Sequence, residues 1–301
     1  MSTFWIILTG ALVAATCGIA GCFLVLRRMA MVGDAISHSV LPGIVIAFLI
    51  SGSRDSLLML LGAAALGLVT VFLIQLFHQS GVQSDASIGV VFTALFAVGV
   101  ILVSLYTRDI DLDLDCVLYG EIAYVPWDTL QWGGVDIGPK AVWGVGTALL
   151  LTAGVIAAFY KQFKICAFDP ALAAAVGIPV ALFHYLLMGL VSVSTVASFE
   201  SVGAILVVGM LVIPPATAYL LTESLGRMIV YSVAIGCASS VLGYYVAVLL
   251  DASIAGSMIS AAGALFLLAL LFSPSHGVLF RKWRMKRMVQ MQKQANEAMS
   301  A

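Results

Sequence analysis

Along most of the chain, apolar side chains run on without the alternation of two or 3.6 residues that marks an element with one wet face. Uninterrupted apolar stretches of about 20 residues match the thickness of a bilayer core crossed by an α-helix. Short clusters of charged, glycine or proline residues separate them, and the pattern predicts nine spans, at roughly 4–26, 34–50, 57–78, 86–106, 141–160, 183–199, 203–221, 227–250 and 256–273. The first run, Phe4 to Leu26, lacks a basic leader and a small-residue cleavage site, so it reads as a span and not as a removable signal. The expected fold is an all-α, polytopic membrane helix bundle.

Composition agrees: 62% of the 301 residues are hydrophobic and 10% are charged, whereas soluble domains carry about a quarter charged residues. The spans leave little chain for a folded extramembrane domain. No GxxxxGK[ST] phosphate loop, HExxH zinc pair or GxSxG elbow occurs, so the chain is expected to have no ATP site of its own and no enzymatic activity. The five cysteines are scattered without a CxxC pair, which argues against disulfides and thiolate metal sites. Membrane lipid is the expected surrounding, and nucleic acid is not an expected partner.

The net charge of −1 says little, but the placement of charge says more. Putting the basic tail from Arg281 to Arg287 in the cytoplasm and counting spans backwards places Arg27, Arg28, Lys161, Lys164, Arg227 and Lys293 inside as well. Eleven of the basic residues are then inside, against Arg54, Arg108 and Lys140 outside. Loop Lys and Arg set orientation, so the amino terminus is expected outside and the carboxy terminus inside. Nine carboxylates fall on the outer side, among them the alternating Asp109, Asp111, Asp113 and Asp115. Such a face attracts cations or a basic partner surface, and equally serves loop solubility. The non-spanning stretch 107–140 reads as a solvated interfacial segment.

Asp34, Ser37 and His38 stand at i, i+3 and i+4, on one face of a helix starting near Met31. A carboxylate and an imidazole so placed can grip one divalent cation; alternatively, Asp34 caps the helix and His38 bonds to it. Pro42 removes the amide partner of the His38 carbonyl, freeing a backbone oxygen beside the pair. In hydrocarbon that oxygen needs a partner or a wet cavity, and ionisable residues within spans mark pathways. Pro214 and Pro215 likewise interrupt the seventh span and release the carbonyls of Met210 and Leu211, as a path border or a packing kink. Glu200, at an outer helix end, is a candidate third ligand, an attractor at the outer mouth, or a snorkelling surface carboxylate. His78, His184 and His276 read as interfacial or capping residues.

In the segment 168–178, Asp169 sits at an N-cap, Pro170 at the first helical position, and Gly177 at the stop. These mark a short helix outside the membrane that needs packing against its own bundle or a partner.

The run from Leu26 to Gly43, Leu26-Arg27-Arg28-Met29-Ala30-Met31-Val32-Gly33-Asp34-Ala35-Ile36-Ser37-His38-Ser39-Val40-Leu41-Pro42-Gly43, is similar to the signature of zinc/manganese/iron ABC-transporter permeases. Ser201 to Val208, continuing through Pro214-Pro215-Ala216-Thr217-Ala218, resembles that family's second signature. The segment around Asp169 and Gly177 resembles its coupling helix, and Ser273-Pro274-Ser275-His276-Gly277 its closing motif. The resemblance implies a permease domain over 1–280, with the coupling helix at about 168–178 and a basic cytoplasmic tail at 281–301.

It further implies a multi-pass subunit of the bacterial inner (plasma) membrane, in an ATP-driven importer of Mn²⁺, Zn²⁺ or Fe²⁺. The partners are then a cytoplasmic ATP-binding subunit, a second permease, identical or paralogous, and an extracytoplasmic metal-binding protein that delivers the ion. The transported cation is the only metal, and no cofactor is permanently bound. Asp34 and His38 take the places of the Asp and His that line the cation path; Ser37, Pro42, Met210, Pro214 and Pro215 are expected to border it, and Asp169, Pro170 and Gly177 to couple it to the ATPase. The competing readings are a secondary transporter driven by an ion gradient and an intramembrane hydrolase using Ser37 and His38.

Overall fold

The computed structural model of the protein describes residues 2–51, 56–106, 122–132 and 135–273. Among the described residues, nine helical segments are long and apolar enough to cross a membrane, as the sequence pattern predicts. α1 (Ser2–Leu26) is followed by a span built of two helices end to end, α2 (Met31–Ser39) and α3 (Leu41–Ser51). α4 (Ser56–Gln79) and α5 (Ser84–Tyr106) come next. A 3₁₀ turn at Val125–Trp127 leads into an antiparallel hairpin of β1 (Thr129–Trp132) and β2 (Val135–Pro139). α6 (Lys140–Ala158) crosses back to the short helices α7 (Tyr160–Phe168) and α8 (Pro170–Ala175). The spans α9 (Val180–Val202), α10 (Ala204–Leu221), α11 (Leu225–Leu250) and α12 (Ile254–Phe272) complete the bundle.

The second span is interrupted at Val40, two residues before the proline that cannot donate to His38. α7 has no counterpart in the hydrophobic pattern, because Lys161, Gln162 and Lys164 break the apolar run; it is held by Phe163 and Cys166, which are buried. The hairpin lies within the stretch 107–140 read as a solvated interfacial segment and is an element the span pattern does not predict. Residues 107–121, with the acidic Asp109 to Asp115 run, lie outside the described residues, as do the closing motif beyond Ser273 and the basic tail.

α1 is the axis of the molecule: it touches α6, α9, α10 and α11, and Val13, Ala14, Cys17, Ala20, Cys22, Phe23 and Leu24 are fully buried. Its small residues let neighbouring backbones come close, the usual device where lipid removes the hydrophobic drive between helices. At Gly21 the carbonyl of Leu211 in α10 occupies the space a methyl would need, and Ala14 meets Gly236 of α11 in the same way. Hydroxyls join other helices: Thr152 in α6 with Ser194 in α9 at 2.9 Å, and Thr70 in α4 with Ser39 in α2 at 2.8 Å. The described cysteines Cys17, Cys22, Cys166 and Cys237 are free thiols.

The two ends of the bundle are distinguishable. The end of α1, the end of α4, the α7–α8 junction and the start of α9 line one cavity and so share a face. At the other end, Thr3 is hydrogen-bonded to Tyr244 of α11 at 2.8 Å, and Trp5 packs on Gly138 of the hairpin.

Candidate functional site

The site forms at the start of α2. The helix begins at Ala30 without a side-chain cap, so Asp34 is not the cap; it stands one turn in, where the helix dipole still favours an anion. Asp34 and His38 lie about 5 and 10 Å along the axis from Met31. His38 Nε2 is 3.5 Å from Asp34 Oδ1, and the two side chains keep 33% and 32% of their surface open. Val32, Gly33, Ala35, Ile36, Ser37 and Ser39 are buried, so the pair occupies the helix's uncovered side. Phe92 and Phe96 of α5 flank the imidazole, with ring centroids at 6.0 and 5.9 Å.

Close backbone packing holds this segment in place. Leu211 of α10 fills the space beside Gly33, Gly99 of α5 lies against Pro42, and Gly62 of α4 against Gly43. Two ligand atoms about 2.1 Å from one cation and 3.5 Å from each other subtend an angle of about 110°, close to tetrahedral. Oxygen and imidazole ligation suits first-row divalent ions and disfavours Cu(I), which takes thiolates. Among the described residues no group of three or more His, Cys, Asp or Glu could hold a metal, and Asp34 and His38 form a pair. The Ser37 hydroxyl donates to the carbonyl of Asp34 at 2.7 Å, and no Ser–His nucleophile pair is assembled there.

The other predicted path residues lie deeper. Pro42, Met210, Pro214 and Pro215 are buried, and α10 stays helical through both prolines. The carbonyl of Leu211 that Pro215 releases is packed against Gly21, and the Ser239 hydroxyl points at Met210 Sδ at 3.8 Å. This proline segment is seated against α1 and α11, and it meets the site through Leu211 and Gly33. Glu200 falls in the last turn of α9, and its side chain lies outside the described residues.

The short helix forms where the sequence predicts it. The Asp169 carboxylate accepts the amide of Leu172 at 2.9 Å, with Pro170 at the first position. At the other end, Gly177 takes φ +85°, and the amides of Gly177 and Ile178 donate to the carbonyls of Ala174 and Ala173 at 3.0 and 2.9 Å. That pairing is the glycine-terminated stop in which a left-handed residue satisfies the last carbonyls. Ala173 faces the bundle and is buried, whereas Phe168, Leu172 and Val176, four residues apart, are exposed.

One arrangement gives no signal in the sequence. Arg27 Nη1 donates to His184 Nδ1 at 3.2 Å, and Arg27 Nη2 to the carbonyl of Cys166 at 3.3 Å. The partners are 157 and 139 residues apart, and His184 reads in isolation as an interfacial histidine.

An all-helical span bundle with a carboxylate–imidazole pair inside a broken helix, and an exposed apolar helix at one face, defines a polytopic membrane permease. The chain belongs to the ABC 3 transport family, whose model matches residues 2–273. It is 56% identical over 280 residues to the manganese transport system membrane protein MntD of Bacillus subtilis, covering 93% of this chain and 95% of that one. It is 42% identical to the zinc transport system membrane protein TroD of Treponema pallidum, over 93% of this chain and 76% of the relative. The solved structure of PsaBC from Streptococcus pneumoniae in complex with Fab superposes with a TM-score of 0.77 at 33% identity, covering 94% of each chain. The fold is that of an ABC importer permease, and the chain is a transport subunit; ATP hydrolysis belongs to a separate ATPase.

Proposed function

We propose that this chain is the permease subunit of an ATP-driven importer of a divalent first-row cation, Mn²⁺, Zn²⁺ or Fe²⁺, and that Asp34 and His38 ligate the ion in passage. The observation that carries this reading is the pair itself: two ligand atoms 3.5 Å apart, a third of each side chain open, inside a membrane span. Relatives named for manganese and zinc, and the chelated iron transport system membrane protein YfeC of Yersinia pestis, at 31% identity, support the cargo class.

Two side chains do not complete a coordination shell. Water, backbone oxygen and a second permease, identical or paralogous, supply the rest across the uncovered side of α2, and Glu200 serves as a further ligand or as an attractor at the outer mouth. Ser37, Pro42, Met210, Pro214 and Pro215 shape the path. The amino terminus lies outside, the carboxy terminus and the 281–301 tail inside, and residues 1–280 form the permease domain. An extracytoplasmic binding protein delivers the ion to the outer face. The α8 segment, with Asp169, Pro170 and Gly177 fixing its ends, presents Phe168, Leu172 and Val176 to the ATPase, whose hydrolysis cycle moves it to switch access.

Reconstitution tests this. Liposomes holding the permease, its ATPase and the binding protein should take up radiolabelled Mn²⁺ with ATP and not without it. Uptake by the permease alone under an ion gradient would replace the reading with a secondary transporter.

A further inference from the structure

On the face shared by the end of α1, the end of α4 and the start of α9, a cavity of 510 Å³ is lined on its polar side by Arg27, Arg28, Gln75, Gln79, His184 and Tyr185. No Asp or Glu among the described residues lines it. Among the described residues neither arginine forms an ion pair with a carboxylate. The charge on this wall is therefore uncompensated among the described residues.

The hydrogen bonding is uncompensated too. His184 Nδ1 accepts from Arg27, which assigns the ring proton to Nε2. Among the described residues, that Nε2 and the Nε of Arg27 are both buried donors without an acceptor. Burial draws the Arg27 guanidinium below its ordinary value, the direction that an unneutralised cation takes when it is removed from water.

Arg28 adds a backbone observation. Its φ is +57°, and the amides of Arg28 and Met29 donate to the carbonyls of Val25 and Leu24, both at 2.9–3.1 Å. This is the same stop that ends α8, with arginine at the left-handed position that glycine occupies there without strain. The chain thus carries a charged side chain, exposed at the cavity, at a position whose backbone geometry favours its absence.

We infer that this cavity binds a phosphate-bearing anion, with the headgroup of an anionic phospholipid as its source. Guanidinium groups match phosphate oxygens in paired hydrogen bonds, and basic pockets between spans at the cytoplasmic side take anionic headgroups. The wall beside Gln75 and Gln79 continues along α4 as exposed Phe72 and Leu76, which acyl chains would cover and a free phosphate would not. The first turn of α9, which has no side-chain cap, adds unpaired amides through Val180 and Ala181. A bound headgroup would tie the link before α2, and so the helix bearing Asp34, to Pro170 at the start of α8. The inference stands apart from the identity of the cargo.

The test uses the full-length chain, delipidated in detergent, titrated with phosphatidylglycerol, phosphatidylcholine or inorganic phosphate, and read by native mass spectrometry and melting temperature. Phosphatidylglycerol should bind and raise the melting temperature, and phosphatidylcholine should not. Arg28→Gly relieves the strained φ, so the lipid-free variant should melt no lower than the wild type, yet its affinity for phosphatidylglycerol should fall about fivefold, while that of Arg28→Lys, which keeps the charge and loses the paired hydrogen bonds, should fall by less. Binding of inorganic phosphate that depends on Arg28, without a preference for phosphatidylglycerol, would support the site with a soluble source. Equal binding of phosphatidylglycerol by the wild type and Arg28→Gly, with no Arg28-dependent phosphate binding, would overturn the inference.

Discussion

Lengthening one ligand by a single methylene is the sharpest test of the cation site. In the structure Oδ1 of Asp34 is 3.5 Å from Nε2 of His38, a separation that one ion at about 2.1 Å from each atom can bridge. Asp34→Glu keeps the charge and moves the carboxylate by about 1.5 Å, one carbon–carbon bond. Moved away, the atoms stand about 5 Å apart, beyond twice the ligand distance; moved closer, they collide. Only a change of rotamer or backbone could restore the bridge, and Gly33, Gly43 and Gly99 leave the backbone little room. Changes outside the ligand shell cost about 10- to 100-fold in metal affinity, and the loss of a direct ligand costs at least as much.

Asp34→Glu, Asp34→Asn and His38→Ala should therefore each lower radiolabelled Mn²⁺ uptake by about tenfold or more at subsaturating metal. The assay is uptake into liposomes with the ATPase and binding protein present, with melting temperature and ATPase co-purification as controls for folding. Wild-type uptake by both Asp34→Asn and His38→Ala would refute the ligand assignment. Wild-type uptake by Asp34→Glu alone would refute the geometric part of the reasoning.

Leu172→Asp places a charge on the exposed stripe of α8 and should leave the melting temperature unchanged while abolishing transport-coupled ATPase stimulation; intact coupling would remove the docking role. Asp169→Ala removes the cap and should cost about 1 kcal/mol of local stability, read as faster amide exchange at Leu172. Gly21→Val drives a side chain into the Leu211 carbonyl and should destabilise by about 1–3 kcal/mol or more, measured as a lower melting temperature in detergent. A double-mutant cycle between Thr152→Val and Ser194→Ala should return a coupling of about 0.6 kcal/mol, the usual value for a hydrogen bond between spans.

The spans were legible because a bilayer imposes a length and a polarity that each helix must meet by itself. α8 was legible for a related reason: Asp169, Pro170 and Gly177 act on the backbone within a few residues of themselves. Elements set by distant contacts were not legible. α7 persists because Phe163 and Cys166 pack into the bundle, against the sense of its lysines. The hairpin had a local sign, the Gly133-Gly134 pair between two short runs, which the surrounding acidic and aromatic residues obscured.

The candidate site divides along the same line. The spacing of Asp34 and His38 is a property of one helix, so it could be read directly, and so could the break that Pro42 introduces. Which side of the α2–α3 span stays uncovered depends on other helices: α10 meets it at Gly33, α4 at Gly43 and α5, through Gly99, at Pro42, and a lone glycine in an apolar run marks close approach without naming the neighbour. The same limit explains Met210, Pro214 and Pro215. Proline frees a carbonyl wherever it sits, but only packing decides whether that oxygen faces a passage or, as with Leu211 against Gly21, another helix. A polar group within a span thus declares its chemistry locally, while its accessibility is a property of the whole bundle: Asp34 and His38 stay about a third open with Leu211 of α10 packed at Gly33 and Phe92 and Phe96 of α5 beside the imidazole.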